Sequence, residues 1–366
     1  VVMGGPHVTL VPDDAQPHAD AIVVGYAEDT WPELLRDFAT GQLQPRYDQA
    51  PDLSLAGRPW ARRDLMPAGR YARTHVFEAT RGCNHRCDFC VVPFAWGRKP
   101  YQKPVGEVVD EIRSTGASRA IIVDLNLDAD PDYARDLFKA LTPQNNQWAG
   151  LATSLLARDE ELLDLCARSG CRGLLVGFES ISENALKDVH KGFNTPELYG
   201  EWIRRFHDAG IALNGTFVFG LDSDTPEVFE QTADFVIRHG IDLPRFAILT
   251  PFPGTALYER LEGEGRIVTR DWELYDGQHV VFEPTNMSAD ELQRGNMQTW
   301  RTVYSYASIA RRLAVTPIPK LLYLGANFGY RFYGRRLDRF YNCDWRLLSP
   351  EPRGLPAADK RQAGRA

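Results

Sequence analysis

Three thiols in the run Cys83-Asn84-His85-Arg86-Cys87-Asp88-Phe89-Cys90 are the residues best suited to chemistry. Thiolates are soft ligands for zinc or for iron–sulfur clusters. Structural zinc takes four ligands, often from two Cys-x-x-Cys pairs, and only three cysteines lie together here. His85 is a candidate fourth ligand, but on a tight loop between two of the thiols it would strain to reach the same ion. A four-iron four-sulfur (4Fe–4S) cluster on Cys83, Cys87 and Cys90 leaves one iron open, and that iron can chelate a small ligand such as the amino and carboxylate groups of S-adenosylmethionine. Electron transfer into the sulfonium then breaks a C–S bond and gives a 5′-deoxyadenosyl radical, chemistry that belongs to the cofactor while the protein positions it. Phe89, next to Cys90, can shield cluster or adenine. Cys166, Cys171 and Cys343 read as inert.

The elements around the triplet are those of an α/β protein. Strands are predicted at 74–80, 119–124, 147–152, 172–177, 212–219 and 243–249. Helices are predicted at 104–116, 131–141, 159–169, 196–210 and 225–239, with a short one near 183–189. Strand–helix alternation gives parallel strands, so residues 73–260 are expected to form an open, partial (β/α)6 barrel. Barrel active sites lie at the carboxyl ends of the strands, and the thiols follow the first strand. Residues 1–45 read as the tail of an α/β domain, with strands at VVMGG and AIVVG and a helix at 29–39. A Pro-, Gly- and Arg-rich linker is expected at 46–72, a mostly helical accessory region at 261–345 and a disordered tail at 346–366. Ser288 and Glu291 mark a capping box that opens one long helix from about 288 to 313.

The chain has 366 residues, a net charge of −7 and 43% hydrophobic residues. No basic field points to nucleic acid, and no apolar run is long enough to span a membrane. Its six cysteines are too sparse for a disulfide scaffold, which fits a reducing, cytoplasmic setting. The chain opens inside an apolar run at Val1, which reads as an N-terminal truncation. The stretch 320–341 gathers Tyr323, Phe328, Tyr330, Arg331, Phe332, Tyr333, Arg335, Arg336 and Arg339. It reads either as ordinary surface packing or as a peripheral membrane contact, and Gly325, Gly329 and Gly334 weaken a continuous helix there.

The cysteine motif and its surroundings resemble the radical S-adenosylmethionine superfamily. The segment Gly4-Gly5-Pro6-His7, followed by Gly25 and Glu28, resembles the end of the Rossmann-like cobalamin-binding domain found in one branch of it. The resemblance implies S-adenosylmethionine contacts from Asp124 and Asn126 for the methionyl amino group, Ser154 and Glu179 for the ribose, and Gly220 for close approach of adenine. Gly5 and His7 would approach cobalamin. PFPGT at 251–255 resembles the end of the sixth strand, and WELYDGQHVVFEPTNMS resembles the extra domain of hopanoid methyltransferases. Residue by residue, Asp124 also reads as a turn or capping acid, Ser154 as a helix cap, Gly220 as a turn glycine, and Asp222 and Asp224 as caps of the helix near Thr225.

The implied function is cobalamin-dependent radical methylation of an unactivated carbon in a small, apolar substrate, with electrons from a reductant such as flavodoxin or ferredoxin. The alternatives are a radical cyclase or rearrangement enzyme without methyl transfer, and a non-catalytic iron–sulfur protein.

Overall fold

The computed structural model describes residues 1–50, 53–65 and 75–337; Cys343, Arg339 and the tail expected at 346–366 lie outside them. The chain begins with β1 (Val2–Gly4), α1 (Pro6–Leu10), α2 (Pro12–Ala15), β2 (Ala21–Val24), α3 (Thr30–Thr40) and β3 (Arg46–Asp48). The strands form a parallel sheet in the order β1-β2-β3. Leu34 of α3 packs with Ala21, Val23 and Tyr47 on one face, and Ile22 packs with Val8 and Ala15 on the other. Residues 46–48, expected in the linker, are instead the third strand. Tyr47 is their single apolar residue, set between two exposed charges, so no alternation was there to read. It is held by burial and by donating its hydroxyl hydrogen to Asp37 at 2.8 Å.

The next segment runs β4 (His75–Phe77), β5 (Thr80–Arg81), α4 (Val92–Ala95), β6 (Tyr101–Gln102), α5 (Val105–Ser114), β7 (Arg119–Ile122), α6 (Pro131–Leu141), β8 (Gln147–Ala152), α7 (Glu160–Arg168), β9 (Cys171–Glu179), α8 (Glu183–Asp188), α9 (Tyr199–Asp208), β10 (Ala212–Phe219), α10 (Val228–His239) and β11 (Arg245–Ile248). Six of these strands form one parallel sheet in the order β4-β7-β8-β9-β10-β11, and among the described residues no pairing joins β11 back to β4. The barrel is therefore partial and open. Helices start where short polar side chains meet free backbone N–H groups: Asp130 accepts from Asp132 and Tyr133, and Asp159 accepts from Leu162. In α6, Ala134, Leu137, Phe138 and Leu141 are buried at helical spacing. Strand alternation splits β10: Phe217 and Phe219 stack with Phe178 and Phe246 under the helices, while Asn214, Thr216 and Val218 face the hollow.

After β11 come α11 (Ala256–Gly263), α12 (Ala289–Val303), α13 (Tyr306–Val315) and α14 (Lys320–Gly334). The capping box of Ser288 and Glu291 is present. The single helix expected from 288 to 313 is two helices. The chain breaks at Tyr304, whose hydroxyl donates to the Pro244 carbonyl at 2.6 Å, and Ser305 caps α13 by accepting from the Ser308 N–H. Conversely, α14 runs through Gly325 and Gly329 without interruption. Each glycine costs a helix about 1 kcal/mol, and tertiary contacts offset this. Asn327 donates to the Asp242 carbonyl at 3.1 Å, and Gly334 lies so close to Trp300 that a Cβ would stand 3.0 Å from it.

Arg312 fastens these helices to the base of the sheet. It is fully buried and donates to the carbonyls of Ile241, Asp242 and Val303 and to Asn327 Oδ1, at 3.1, 2.8, 3.0 and 2.9 Å. Replacing it by Leu removes a donor from all four acceptors and leaves the Asp242 carbonyl with Asn327 alone. We expect Arg312→Leu to lower the unfolding free energy by about 3–5 kcal/mol, read from the urea midpoint, with Arg312→Lys recovering only part of it.

Candidate active site

Strand β4 carries the chain to the carboxyl end of the sheet, and the thiol loop follows. Antiparallel pairing of β5 with β6 closes the base of the loop. Gly82 makes the turn at φ 87°, and a Cβ there would lie 2.6 Å from the Lys99 carbonyl oxygen and 2.9 Å from that of Gly97. Only glycine combines that conformation with that approach. The loop is pinned from several sides: Asp88 N–H donates to the Val189 carbonyl at 3.2 Å, Leu257 N–H donates to the Asp88 carbonyl at 3.1 Å, and Asn84 donates to the Ala129 carbonyl at 2.9 Å.

Cys83, Cys87 and Cys90 line one pocket of ≈ 180 Å³ together with Phe89, Asn126, Leu151, Leu175, Glu179, Lys191 and Thr216. Asn126 Nδ2 donates to Cys83 Sγ at 3.3 Å. Burial pushes the Cys87 thiol up to about 12 and raises that of Cys90. Both are therefore protonated in the metal-free protein, and metal binding must release their protons. Among the described residues, no three His, Cys, Asp or Glu side chains are gathered tightly enough to hold a single metal ion. Three soft ligands lining one pocket, with no fourth beside them among the described residues, fit a multi-iron cluster, whose ligands bind separate irons, better than one tetrahedral zinc. His85 stacks on Phe193 with ring centroids 4.1 Å apart.

Glu179 and Lys191 form the charged wall of the pocket, with Nζ 2.5 Å from Oε1. Their side chains are only 11% and 10% exposed, and the pairing holds the Lys191 ammonium above its usual range despite desolvation. Glu179 sits at φ 61°, a left-handed conformation rare outside glycine. Gly177 makes room for the pair, since a Cβ there would stand 2.3 Å from Glu179 Oε1. Among the described residues, the other carboxylate oxygen has only Thr216 Oγ1, at 3.5 Å.

The remaining candidates serve elsewhere. Asp124 does not turn to the pocket: its two oxygens accept from the Ala79 and Thr80 N–H groups, each at 2.8 Å, and bracket the start of the thiol loop. Ser154 is fully buried and donates to Asn194 Oδ1 at 2.5 Å; Asn194 in turn donates to the carbonyls of Gly177 and Phe178, both at 3.0 Å. Gly220 takes φ 95°, and what approaches it is the C-terminal region: a Cβ would stand 2.8 Å from Leu292. Asp224 accepts from the Gly220 and Leu221 N–H groups, and Asp222 pairs with Arg260 and Arg266, rather than capping the helix, which starts at Val228. Gly5 and His7 follow β1. His7 pairs with Asp14 at 2.8 Å and meets the Trp272 ring edge-on, and a Cβ on Gly5 would meet nothing within 4 Å.

The small sheet and the barrel approach each other at this site. Arg81 pairs with Glu28 at 2.5 Å and with Glu78 at 2.8 Å, and its guanidinium lies 4.4 Å from the Tyr26 ring centre. Tyr26 reaches the Trp96 carbonyl at 3.5 Å, and Leu10 lies 3.7 Å from where a Gly254 Cβ would be. Sequence reasoning missed Arg81, Lys191, Asn194 and Thr216. The polar run Lys191-Gly192-Phe193-Asn194 directly after α8 was the available signal.

Burial raises the Asp124 carboxyl to about 7. Between the unfolded value near 4 and 7, the folded state keeps a proton that the unfolded chain has released. This group's contribution to stability is therefore full below about pH 4 and is lost as pH rises through 7. We expect urea midpoints of cluster-free wild type, relative to Asp124→Asn, to fall across that window; parallel profiles would contradict the assignment.

Comparison with known proteins agrees with this geometry. Residues 77–236 match the radical SAM superfamily, and residues 255–316 match a domain of unknown function (DUF4070). The chain is 30% identical to bacteriochlorophyllide d C-12(1)-methyltransferase of Chlorobaculum tepidum, over 87% of this chain and 72% of that protein. It is 28% identical to the hopanoid C-2 methylase of Rhodopseudomonas palustris, over 74% of this chain and 54% of that protein. The fold matches the radical S-adenosylmethionine methyltransferase TsrM from Kitasatospora setae, solved with cobalamin and a 4Fe–4S cluster, with TM-score 0.64 and 21% identity over 86% of this chain and 72% of that one. It also matches the cobalamin-dependent S-adenosylmethionine radical enzyme OxsB, solved with aqua-cobalamin, with TM-score 0.62 and 12% identity over 93% of this chain and 64% of that one. A thiol loop on the first strand of an open six-stranded barrel, together with identity across most of a curated relative, means that this chain belongs to the radical SAM superfamily of enzymes.

Proposed function

We propose that the chain is a cobalamin-dependent radical methyltransferase acting on an unactivated carbon of a small molecule. The observation that carries this is the facing of two carboxyl edges. The end of the small sheet, with Gly5, His7 and Tyr26, abuts the thiol loop and the loop after β11. Cys83, Cys87 and Cys90 would hold the cluster, and Gly5 and His7 would border cobalamin, with the open space at Gly5 suited to a flat ring. When bound, the cluster supplies the electron that cleaves S-adenosylmethionine, and cobalamin carries the methyl group.

The chain's own residues do the rest. Asn126 donates to the Cys83 sulfur, a contact of the kind that tunes cluster potential. Glu179 offers its less occupied oxygen to a ribose hydroxyl, while Lys191 fixes its orientation and balances its charge. Phe89, Leu151 and Leu175 keep water from the space where a radical would react. A reductant of the flavodoxin or ferredoxin class supplies the electron. Leu321, Leu322, Phe328 and Phe332 are exposed on α14, which supports a peripheral apolar contact there, although no helix among the described residues is long and apolar enough to cross a membrane.

Anaerobic reconstitution with iron and sulfide, followed by reduction in the presence of S-adenosylmethionine, tests the reading. Wild type is expected to form 5′-deoxyadenosine, and Cys87→Ala to lose both the cluster absorbance and that product. No 5′-deoxyadenosine from fully loaded protein would sink the radical reading; 5′-deoxyadenosine without methylcobalamin formation would sink the methyl-transfer part. Glu179→Gln should weaken S-adenosylmethionine binding roughly tenfold, about 1.4 kcal/mol, with cluster content unchanged.

A further inference from the structure

The hollow of the barrel continues past the thiol pocket. A second cavity of ≈ 190 Å³ adjoins it, bordered by Thr216, Val218, Arg245, Ala247, Gln278 and Trp300 among others, and Thr216 lines both cavities. Strand register explains the adjacency. Thr216 stands opposite Arg245 and Val218 opposite Ala247 in the β10–β11 pairing, and residues paired across parallel strands project from the same face. Moving inward from the sulfurs, the side chains are thus Glu179 with Lys191, then Thr216, then Arg245.

Most of the second cavity is apolar, and two of its polar side chains already have backbone partners. Gln278 donates to the Phe246 carbonyl at 3.0 Å and accepts from Asn296 at 3.2 Å. Trp300 donates to the same Phe246 carbonyl at 3.1 Å. Among the described residues, Arg245 is the one charged side chain of the lining, and no carboxylate pairs with it. Arg312, nearby at the base of the sheet, shows the contrast, since its guanidinium is served by backbone carbonyls and Asn327. A half-buried guanidinium among apolar neighbours is poorly solvated unless a partner arrives. Its planar fork matches a carboxylate through two parallel N–H···O bonds.

We propose that Arg245 is the substrate anchor, and that the substrate is a carboxylate borne on an apolar body that fills the hollow between Arg245 and the thiol pocket. The apolar body meets Val218, Ala247 and Trp300, the carboxylate takes the guanidinium, and the far end of the molecule lies beside Thr216, toward the sulfurs. This deepens the radical-enzyme reading and rests on it for where the reaction happens.

The test is binding alone, so it stands apart from the cleavage assay. Cluster-loaded protein is titrated anaerobically by calorimetry with 2-naphthylacetate and with its neutral isostere 2-naphthylacetamide. Wild type is expected to bind the acid at least fivefold more tightly than the amide. Arg245→Gln should erase that preference while leaving amide binding within twofold, and Arg245→Lys should keep part of it. Equal binding of the two probes to wild type, no measurable binding of the acid, survival of the preference in Arg245→Gln, or equal loss of both probes in both variants would overturn the proposal. Loss of 5′-deoxyadenosine formation in wild type would leave an acid preference at Arg245 standing and would remove only the radical reading.

Discussion

A parallel sheet that stops at six strands leaves an edge of unpaired backbone groups, and β11 is the edge around which the rest of this molecule is arranged. The Phe246 carbonyl on that edge takes N–H donors from both Trp300 and Gln278, the Ile248 N–H donates to the Gly277 carbonyl at 2.7 Å, and the Pro244 carbonyl takes the Tyr304 hydroxyl. The chain after the barrel therefore does more than append a domain. It supplies the groups that a seventh strand would have supplied, and α12 and α14 wall off that side of the hollow. The break between α12 and α13 follows from the same demand, because Tyr304 is tied to the strand edge just where the helix ends.

Closing that side gives the thiol pocket a sheltered environment, and its electrostatics follow. Burial holds Cys87 and Cys90 as thiols until metal displaces their protons. Two opposite charges, Glu179 and Lys191, persist in the same pocket only because they face each other. Backbone strain gathers here too: Glu179 adopts a left-handed conformation, and the β9–β10 register shifts between Thr216 and Phe217, beside it. Sites where a side chain must be aimed into a cavity tend to store such strain.

Asp124 and Arg81 connect this pocket to its supports. Asp124 grips the backbone where β4 gives way to the thiol loop, at the cost of a buried carboxyl group. Arg81 reaches the opposite way, into the small sheet, through Glu28 and Tyr26. The loop is thus held from below by the barrel and from the side by the small sheet, and that double attachment brings the two carboxyl edges together.

The sequence by itself determined the strand–helix alternation, the order of the six strands and the thiol triplet, because apolar periodicity and ligand spacing are local properties. Residue type marked Phe89, and the family resemblance marked Asn126 and Glu179; all three line one pocket with the thiols. Only the tertiary structure decided that Asp124, Ser154 and Gly220 are spent on backbone and packing contacts, since a polar residue at a strand end looks the same whether it meets a ligand or a neighbouring N–H. Lys191 and Arg245 were hidden for the same reason. Each acquires its meaning from a partner the fold supplies, or, among the described residues, from the lack of one, and one-dimensional pattern carries neither. The strand at 46–48, the break at Tyr304 and the unbroken α14 belong with them: a single buried tyrosine, one hydroxyl on a strand edge and packing around glycines outweighed what local propensity proposed.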